Sequence, residues 1–176
     1  MSLERIVLAG FMGSGKSTIG RLLAAELGWS FVDLDTEIEL VSGQTVPGLF
    51  AEHGEAYFRR VESDVLGKLL ALRSTVIALG GGAPEIEANR ELLEASADTC
   101  VVFLKAPFEV LFERCAEQAL DPEATARPIL ANRDEAELRF ARRAEHYHAI
   151  AHEIVETASL SATATVAHLL ARLELN

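Results

Sequence analysis

Short runs of consecutive apolar residues alternate along this chain with longer stretches in which apolar residues return every three or four positions. Arg5-Ile6-Val7-Leu8-Ala9 is the first run and predicts a buried strand. Ile19, Leu22, Leu23 and Leu27 then share one face at helical spacing. Ser30 to Asp33 predicts a short strand, and a longer helix follows with Phe58, Val61, Val65 and Leu69 as its stripe. Thr75 to Leu79 is a third strand that stops at three glycines, and Cys100 to Leu104 a fourth, with Cys100 buried in it. Pro107 opens a helix at a position that proline tolerates. Ala119 to Ile129 contains two X-Pro pairs and is not regular helix throughout. A helix begins near Asp134, a weak strand runs from His152 to Val155, and a last helix carries Val166, Leu169, Leu170 and Leu173. Strand–helix alternation of this kind predicts an α/β fold with a parallel sheet covered on both faces.

A chain of 176 residues suits one domain, and 49% hydrophobic content argues against disorder. Its net charge of -11 argues against nucleic acid as a partner. An anionic small molecule would need a local nest of Arg and Lys. Cys100 and Cys115 make neither a disulfide framework nor a zinc site. His146 and His148 are two apart and His148 and His152 four apart, a pair spacing that could bind a metal, but no further ligand is near in sequence and no zinc is expected. No signal peptide or membrane span is visible, and a soluble cytoplasmic protein is expected.

The first strand runs into Gly10-Phe11-Met12-Gly13-Ser14-Gly15-Lys16-Ser17, which matches the phosphate-loop pattern Gly, four residues, Gly, Lys, Ser or Thr. Its glycines expose backbone N–H groups to phosphate oxygens, and the following helix presents its positive end to the same anion. Lys16 reaches the outer phosphates and Ser17 is placed to ligate Mg²⁺. The guanine-reading motif of switch GTPases is absent. Asp64-Val65-Leu66-Gly67 has the spacing of a switch loop but lies in a helix-patterned segment.

The second strand ends in Asp33-Leu34-Asp35. Were the segment still extended, both carboxylates would face the crevice beyond the strand ends, one toward a metal-bound water and one toward an acceptor hydroxyl. Alternatively, one of the two caps the next helix, a place that Asp35 before Thr36-Glu37-Ile38 would serve well. Arg59 and Glu62 are three apart on a helix, so the carboxylate either orients the guanidinium or forms an ordinary surface pair. Gly80-Gly81-Gly82 either lets the backbone approach a ligand or serves as a connector.

Residues 10 to 21, Asp33-Leu34-Asp35, Phe58-Arg59-Arg60-Val61-Glu62 and Gly80-Gly81-Gly82 together resemble the motifs of shikimate kinase, in the same order. Arg127-Pro128-Ile129-Leu130 is similar to that family's lid motif, and Arg143 with Tyr147 to its late substrate motif. The resemblance covers nearly the whole chain. It implies a five-stranded parallel sheet in the order 2-3-1-4-5, one domain over 1–176, a substrate-binding segment near 34–62 and a mobile lid near 115–130. It implies transfer of the γ-phosphoryl group of ATP to the 3-hydroxyl of shikimate, with one Mg²⁺ per subunit. An aromatic content of 6% and the lack of an obvious extra apolar face make a monomer the expectation. Gly13, Ser14, Gly15, Lys16, Ser17 and Thr18 would bind ATP, with Arg114 against adenine and Arg127 closing over the phosphates. Ser17 would ligate Mg²⁺, and Asp33 would do so through water. Asp35 would bind the acceptor diol, Arg59 and Arg143 the carboxylate, and Gly80, Gly81 and Gly82 the ring hydroxyls. Lys16, Asp35 and Arg127 would carry the catalysis. Arg139 and Arg142 read as ordinary solvated helix residues.

Two segments depart from the family's pattern. Cys115 to Ala126 is long and carries Asp121 and Glu123, and Val46-Pro47-Gly48 interrupts a stretch that is more usually plain helix. Two rival readings remain: a kinase of the same fold acting on gluconate or a nucleoside monophosphate, and a non-catalytic binding homologue.

Overall fold

The computed structural model describes residues 3–118 and 132–175. Five strands, β1 (Arg5–Ala9), β2 (Ser30–Asp33), β3 (Thr75–Ala78), β4 (Thr99–Lys105) and β5 (Glu153–Glu156), form one sheet in the order β2-β3-β1-β4-β5. Every neighbouring pair is parallel, with Val7 facing Ile77 on one side and Val101 on the other. Both the sheet and its order match the expectation.

Successive strand residues point to opposite faces, and this divides the core in two. Val7, Ala9, Ile77, Val101 and Phe103 pack in a layer with residues of α2 (Leu34–Ser42), α3 (Val46–Leu69), α4 (Glu87–Ala95), α5 (Phe108–Gln118) and α6 (Arg133–Ile150). Ile6, Leu8, Val76, Val102 and Leu104 pack in a second layer with α1 (Lys16–Leu27) and α7 (Ala162–Arg172). With both faces covered, β1, β3 and β4 read as apolar runs rather than as alternating ones. Arg5 is the buried charged exception. Its Nε donates to Thr99 Oγ1 and its Nη1 to the Leu72 carbonyl, both at 2.8 Å, at the amino edge of the sheet.

Three local expectations change. Leu22 is 39% exposed, and the inward face of α1 is completed by Gly20 and Ala24. The small Gly20 lets α1 lie directly on the Phe31 ring of β2. Val46-Pro47-Gly48 begins a helix instead of interrupting one. Thr45 caps α3 by accepting from the Gly48 N–H, and Pro47 sits in the first turn, where its missing N–H costs nothing. The bend in α3 falls later, at Gly54 (φ 79°, ψ 171°). No element was expected between the glycines and β4, yet α4 forms there. Asp64 to Gly67 is continuous helix within α3, so its switch-like spacing is coincidental. Among the described residues no helix is long and apolar enough to cross a membrane.

Candidate active site

The carboxyl ends of β1, β2 and β3 open onto a cavity of about 350 Å³. Lys16, Ser17, Asp33, Asp35, Gly81 and Arg143 are among its lining residues. The loop from Gly10 to Gly15 forms one end. Gly15 takes φ 87° where the loop turns into α1, a conformation that disfavours side chains. The start of α1 has no side-chain cap and no acidic residue in its first turn. Its first N–H groups and the positive end of its dipole are thus left for an anion. Lys16 Nζ folds back over the loop and donates to the carbonyls of Gly10 (2.8 Å) and Phe11 (3.2 Å). Ser14 Oγ is buried with no hydrogen-bond partner among the described residues. A Cβ on Gly10 would lie 2.7 Å from that oxygen, so the glycine makes the room for it.

Of the two sequence readings the extended one fails, and the helix cap is present but falls on the other aspartate. The chain is not extended through Asp35, because β2 ends at Asp33 and α2 begins at Leu34. Nor does Asp35 cap the helix. Asp33 is the cap, with Oδ1 accepting from the Asp35 N–H at 3.2 Å while Oδ2 accepts from Ser17 Oγ at 2.8 Å. Asp35 lies in the first turn of α2 and points to the next strand, so that a Cβ on Gly80 would stand 2.6 Å from its Oδ1. Burial, then the neighbouring Asp33, pushes the Asp35 carboxyl above the ordinary aspartate range against the pull of Lys16 and Arg59.

Ser17 Oγ and the Asp33 carboxylate form a pair of oxygens beside Lys16. That donor set fits Mg²⁺ held by a hydroxyl, a carboxylate-bound water and phosphate oxygens. Among the described residues no cluster of three or more His, Cys, Asp or Glu could hold a metal by itself, so the remaining ligands of such an ion would be waters and phosphate oxygens.

The opposite end of the site is the strip Gly80-Gly81-Gly82. The tip of Arg59 lies against Gly82, where a Cβ would be 2.7 Å from Nη2 and 3.0 Å from Nη1. Arg143 Nη2 would be 3.0 Å from that same Cβ, and Arg143 Nη1 3.2 Å from one on Gly81. The glycines therefore serve as a close platform for two guanidiniums and not as a loose connector. Glu62 orients Arg59, accepting from Nη1 at 2.9 Å, and Glu55 accepts from its Nε at 3.3 Å. Glu62 is buried to 1% side-chain exposure, so this is no surface pair. Burial holds the Glu62 carboxyl above its usual range, although Arg59 opposes the shift. Tyr147, one turn after Arg143 on α6, donates its hydroxyl to the Gly81 carbonyl at 2.7 Å. Burial raises that phenol well above its ordinary value.

Arg114 projects from α5 into a smaller cavity of about 210 Å³ on the far side of the phosphate loop, shared with Ser14, Thr18 and Leu160. Its Nη2 donates to the Thr157 carbonyl at 2.7 Å. Arg127 lies outside the described residues, as does most of the expected lid segment.

The structure also adds residues that the motifs did not mark. Glu85 accepts from Arg143 Nε and from Arg142 Nε, each at 2.7 Å. Arg142 is therefore not the unengaged surface residue its sequence suggests. Asn89 and Arg90 of α4 donate to the carbonyls of Ala83 and of Pro84 and Glu85. No spacing rule connects residue 85 to residue 143, so only the folded chain pairs them.

The sequence model of the shikimate kinase family matches residues 12–174. The chain is similar to the shikimate kinase of Bradyrhizobium diazoefficiens, with 41% identity over 168 residues, covering 89% of this chain and 80% of that protein. Among solved structures it is similar to shikimate kinase from Bacteroides thetaiotaomicron, with a TM-score of 0.87, 34% identity and coverage of 98% and 99% of the two chains. It is also similar to shikimate kinase from Acinetobacter baumannii in complex with shikimate, with a TM-score of 0.82, 34% identity and coverage of 98% and 93%.

Proposed function

The chain belongs to the shikimate kinase family, and from that membership we infer that it transfers the γ-phosphoryl group of ATP to the 3-hydroxyl of shikimate, giving shikimate 3-phosphate and ADP. One observation carries the site assignment. Asp35, Arg59 and Arg143 converge on Gly80, Gly81 and Gly82, and Asp35, Gly81 and Arg143 line one cavity with the phosphate loop. A hydroxylated carboxylic acid matches that set, since its carboxylate pairs with two guanidiniums while a hydroxyl meets a carboxylate.

Each residue has a role in this reading. Gly13 to Thr18 cradle the phosphates with backbone N–H groups, and Arg114 borders the space for adenine. Ser17 would ligate Mg²⁺ and Asp33 would hold one of its waters. When bound, the ion would supply positive charge that offsets the phosphates. Lys16 places its ammonium beside the transferring group. Arg59 and Arg143 fix the shikimate carboxylate against the glycine strip, which turns the ring so that its 3-hydroxyl meets Asp35. Asp35 accepts the hydroxyl's hydrogen bond and takes its proton late, as the new P–O bond forms and the bond to ADP breaks. Phosphoryl-transfer transition states are loose, so positioning and charge neutralisation do most of the work. Arg127, which lies outside the described residues, would add a further positive charge at the phosphates, and residues 34–62 form the substrate-binding segment of a single domain. We propose a cytoplasmic monomer, and the net charge of -11 argues against a nucleic-acid partner.

The test is ADP release with MgATP and a panel of shikimate, gluconate and nucleoside monophosphates, with the product identified by mass. Saturable release that needs shikimate is expected. Release with another acceptor overturns the assignment of Arg59 and Arg143. No release from folded, ATP-binding protein overturns the kinase reading.

A further inference from the structure

Two adjacent arginines on α6, Arg142 and Arg143, share a single carboxylate from another element. Glu85 Oε1 accepts from Arg142 at 2.7 Å, and Glu85 Oε2 accepts from Arg143 Nε at 2.7 Å. The two guanidiniums differ in surroundings. The Arg142 side chain is 66% exposed and that of Arg143 is 11% exposed. Arg143 gives its Nε to Glu85, which leaves its Nη1–Nη2 edge toward Gly81 and Gly82.

The backbone carrying Glu85 is held at every carbonyl from residue 80 to residue 85. Ala83 N–H donates to Gly80, Tyr147 Oη to Gly81 and Glu85 N–H to Gly82. Asn89 Nδ2 donates to Ala83, and Arg90 Nη1 donates to both Pro84 and Glu85. Glu85 is thus a fixed anion at the end of a fixed strap, and a fixed partner preorganises a long flexible side chain. Burial alone would raise the Glu85 carboxyl, but Arg143 and Arg142 together outweigh it and hold it below its usual range, so it stays ionised.

We propose that Glu85 is a positioning residue for substrate selection: it grips Arg143 by Nε so that the Nη edge is presented, ready-oriented, to the substrate carboxylate. Arg142 completes the device by neutralising the other oxygen of Glu85, which keeps the surroundings of the substrate anion positive. This inference rests on the reading of Arg143 as a carboxylate ligand.

The experiment compares wild type, Glu85→Gln and Glu85→Asp with shikimate and with its methyl ester, which keeps the hydroxyls but has no carboxylate charge. In Glu85→Gln the KM for shikimate should rise roughly tenfold, the size of one misplaced charge-assisted bond. Its kcat and its KM for ATP should hold within about twofold of wild type. With the methyl ester the two proteins should have similar kcat/KM. Glu85→Asp keeps the charge but withdraws it by one methylene, and should fall between the two. An unchanged or lowered shikimate KM in Glu85→Gln overturns the proposal, the latter showing that Glu85 competes with the substrate. An equal loss with the ester reduces Glu85 to a structural role and also overturns it. Absence of shikimate-dependent turnover in wild type would instead overturn the functional reading on which the proposal stands.

Discussion

Asp33 accepts a hydrogen bond from Ser17 Oγ at 2.8 Å, which joins the residue that ends β2 to the one that follows the lysine of the phosphate loop. The other oxygen of the same carboxylate caps α2 through the Asp35 N–H. Two functions therefore reside on one side chain, and two substitutions separate them. Asn caps helices about as well as Asp. Asp33→Asn should leave the melting temperature nearly unchanged while raising the Mg²⁺ concentration needed for half-maximal turnover. Asp33→Ala should add a loss of about 1 kcal/mol of stability. Thermal melts and Mg²⁺ titrations of both variants check this, and equal Mg²⁺ dependence in wild type and Asp33→Asn would remove Asp33 from the metal's surroundings.

Asp35→Asn should lower kcat by about 10²-fold or more, the usual contribution of a positioned proton acceptor. The same substitution should raise the melting temperature at neutral pH. The sign follows from the raised pKa of Asp35. A carboxyl with a higher pKa folded than unfolded is held ionised at a cost above its folded pKa. That cost disappears as pH falls below its unfolded value. The stability gap between variant and wild type should therefore be full above the raised pKa and close through the acid range. In wild type, kcat/KM should fall on the acid side with a midpoint above the ordinary aspartate value. A variant that keeps near-normal turnover, or melts below wild type at neutral pH, contradicts this account.

Gly82→Ala isolates the guanidinium platform. Gly82 has φ -96° and ψ -9°, which alanine adopts without strain. The new methyl would stand 2.7 Å from Arg59 Nη2 and 3.0 Å from Arg143 Nη2, so both arginines must retreat. The KM for shikimate should rise by about 10- to 100-fold, the range for losing a hydrogen bond to a charged group. Binding of ATP, measured by calorimetry, should not change. Equal shikimate affinity in the alanine variant would mean that the carboxylate does not bind there.

Glu62→Ala should be the most destabilising of these changes. It removes the anion that orients Arg59 and leaves that guanidinium, 15% exposed, without its closest partner. Breaking such a buried pair from one side costs about 3–5 kcal/mol. For a domain of this size that corresponds to a drop of roughly 10 °C or more in melting temperature. A drop of only a degree or two would make the Arg59–Glu62 contact an ordinary surface pair.

The sequence by itself determined the class of the fold and the phosphate end of the site. Both are local: apolar runs at strand length, stripes at helical spacing, and a loop in which the glycines, Lys16 and Ser17 lie within eight consecutive positions. It also marked Arg59 with Glu62, because three residues on a helix are one turn. Only the tertiary structure decided that Asp33 and not Asp35 caps α2, since this depends on where β2 stops pairing with β3. Only the tertiary structure placed Arg143 against Gly81 and Gly82 and gave it to Glu85. These contacts join residues about sixty positions apart, and no spacing rule reaches that far. α4 escaped notice for a related reason. Its anchors, Leu93 in the core and Asn89 and Arg90 on the carbonyls of the preceding strap, acquire meaning only once that strap is in place. Local pattern records what a segment can become, and long-range packing selects which side chains meet.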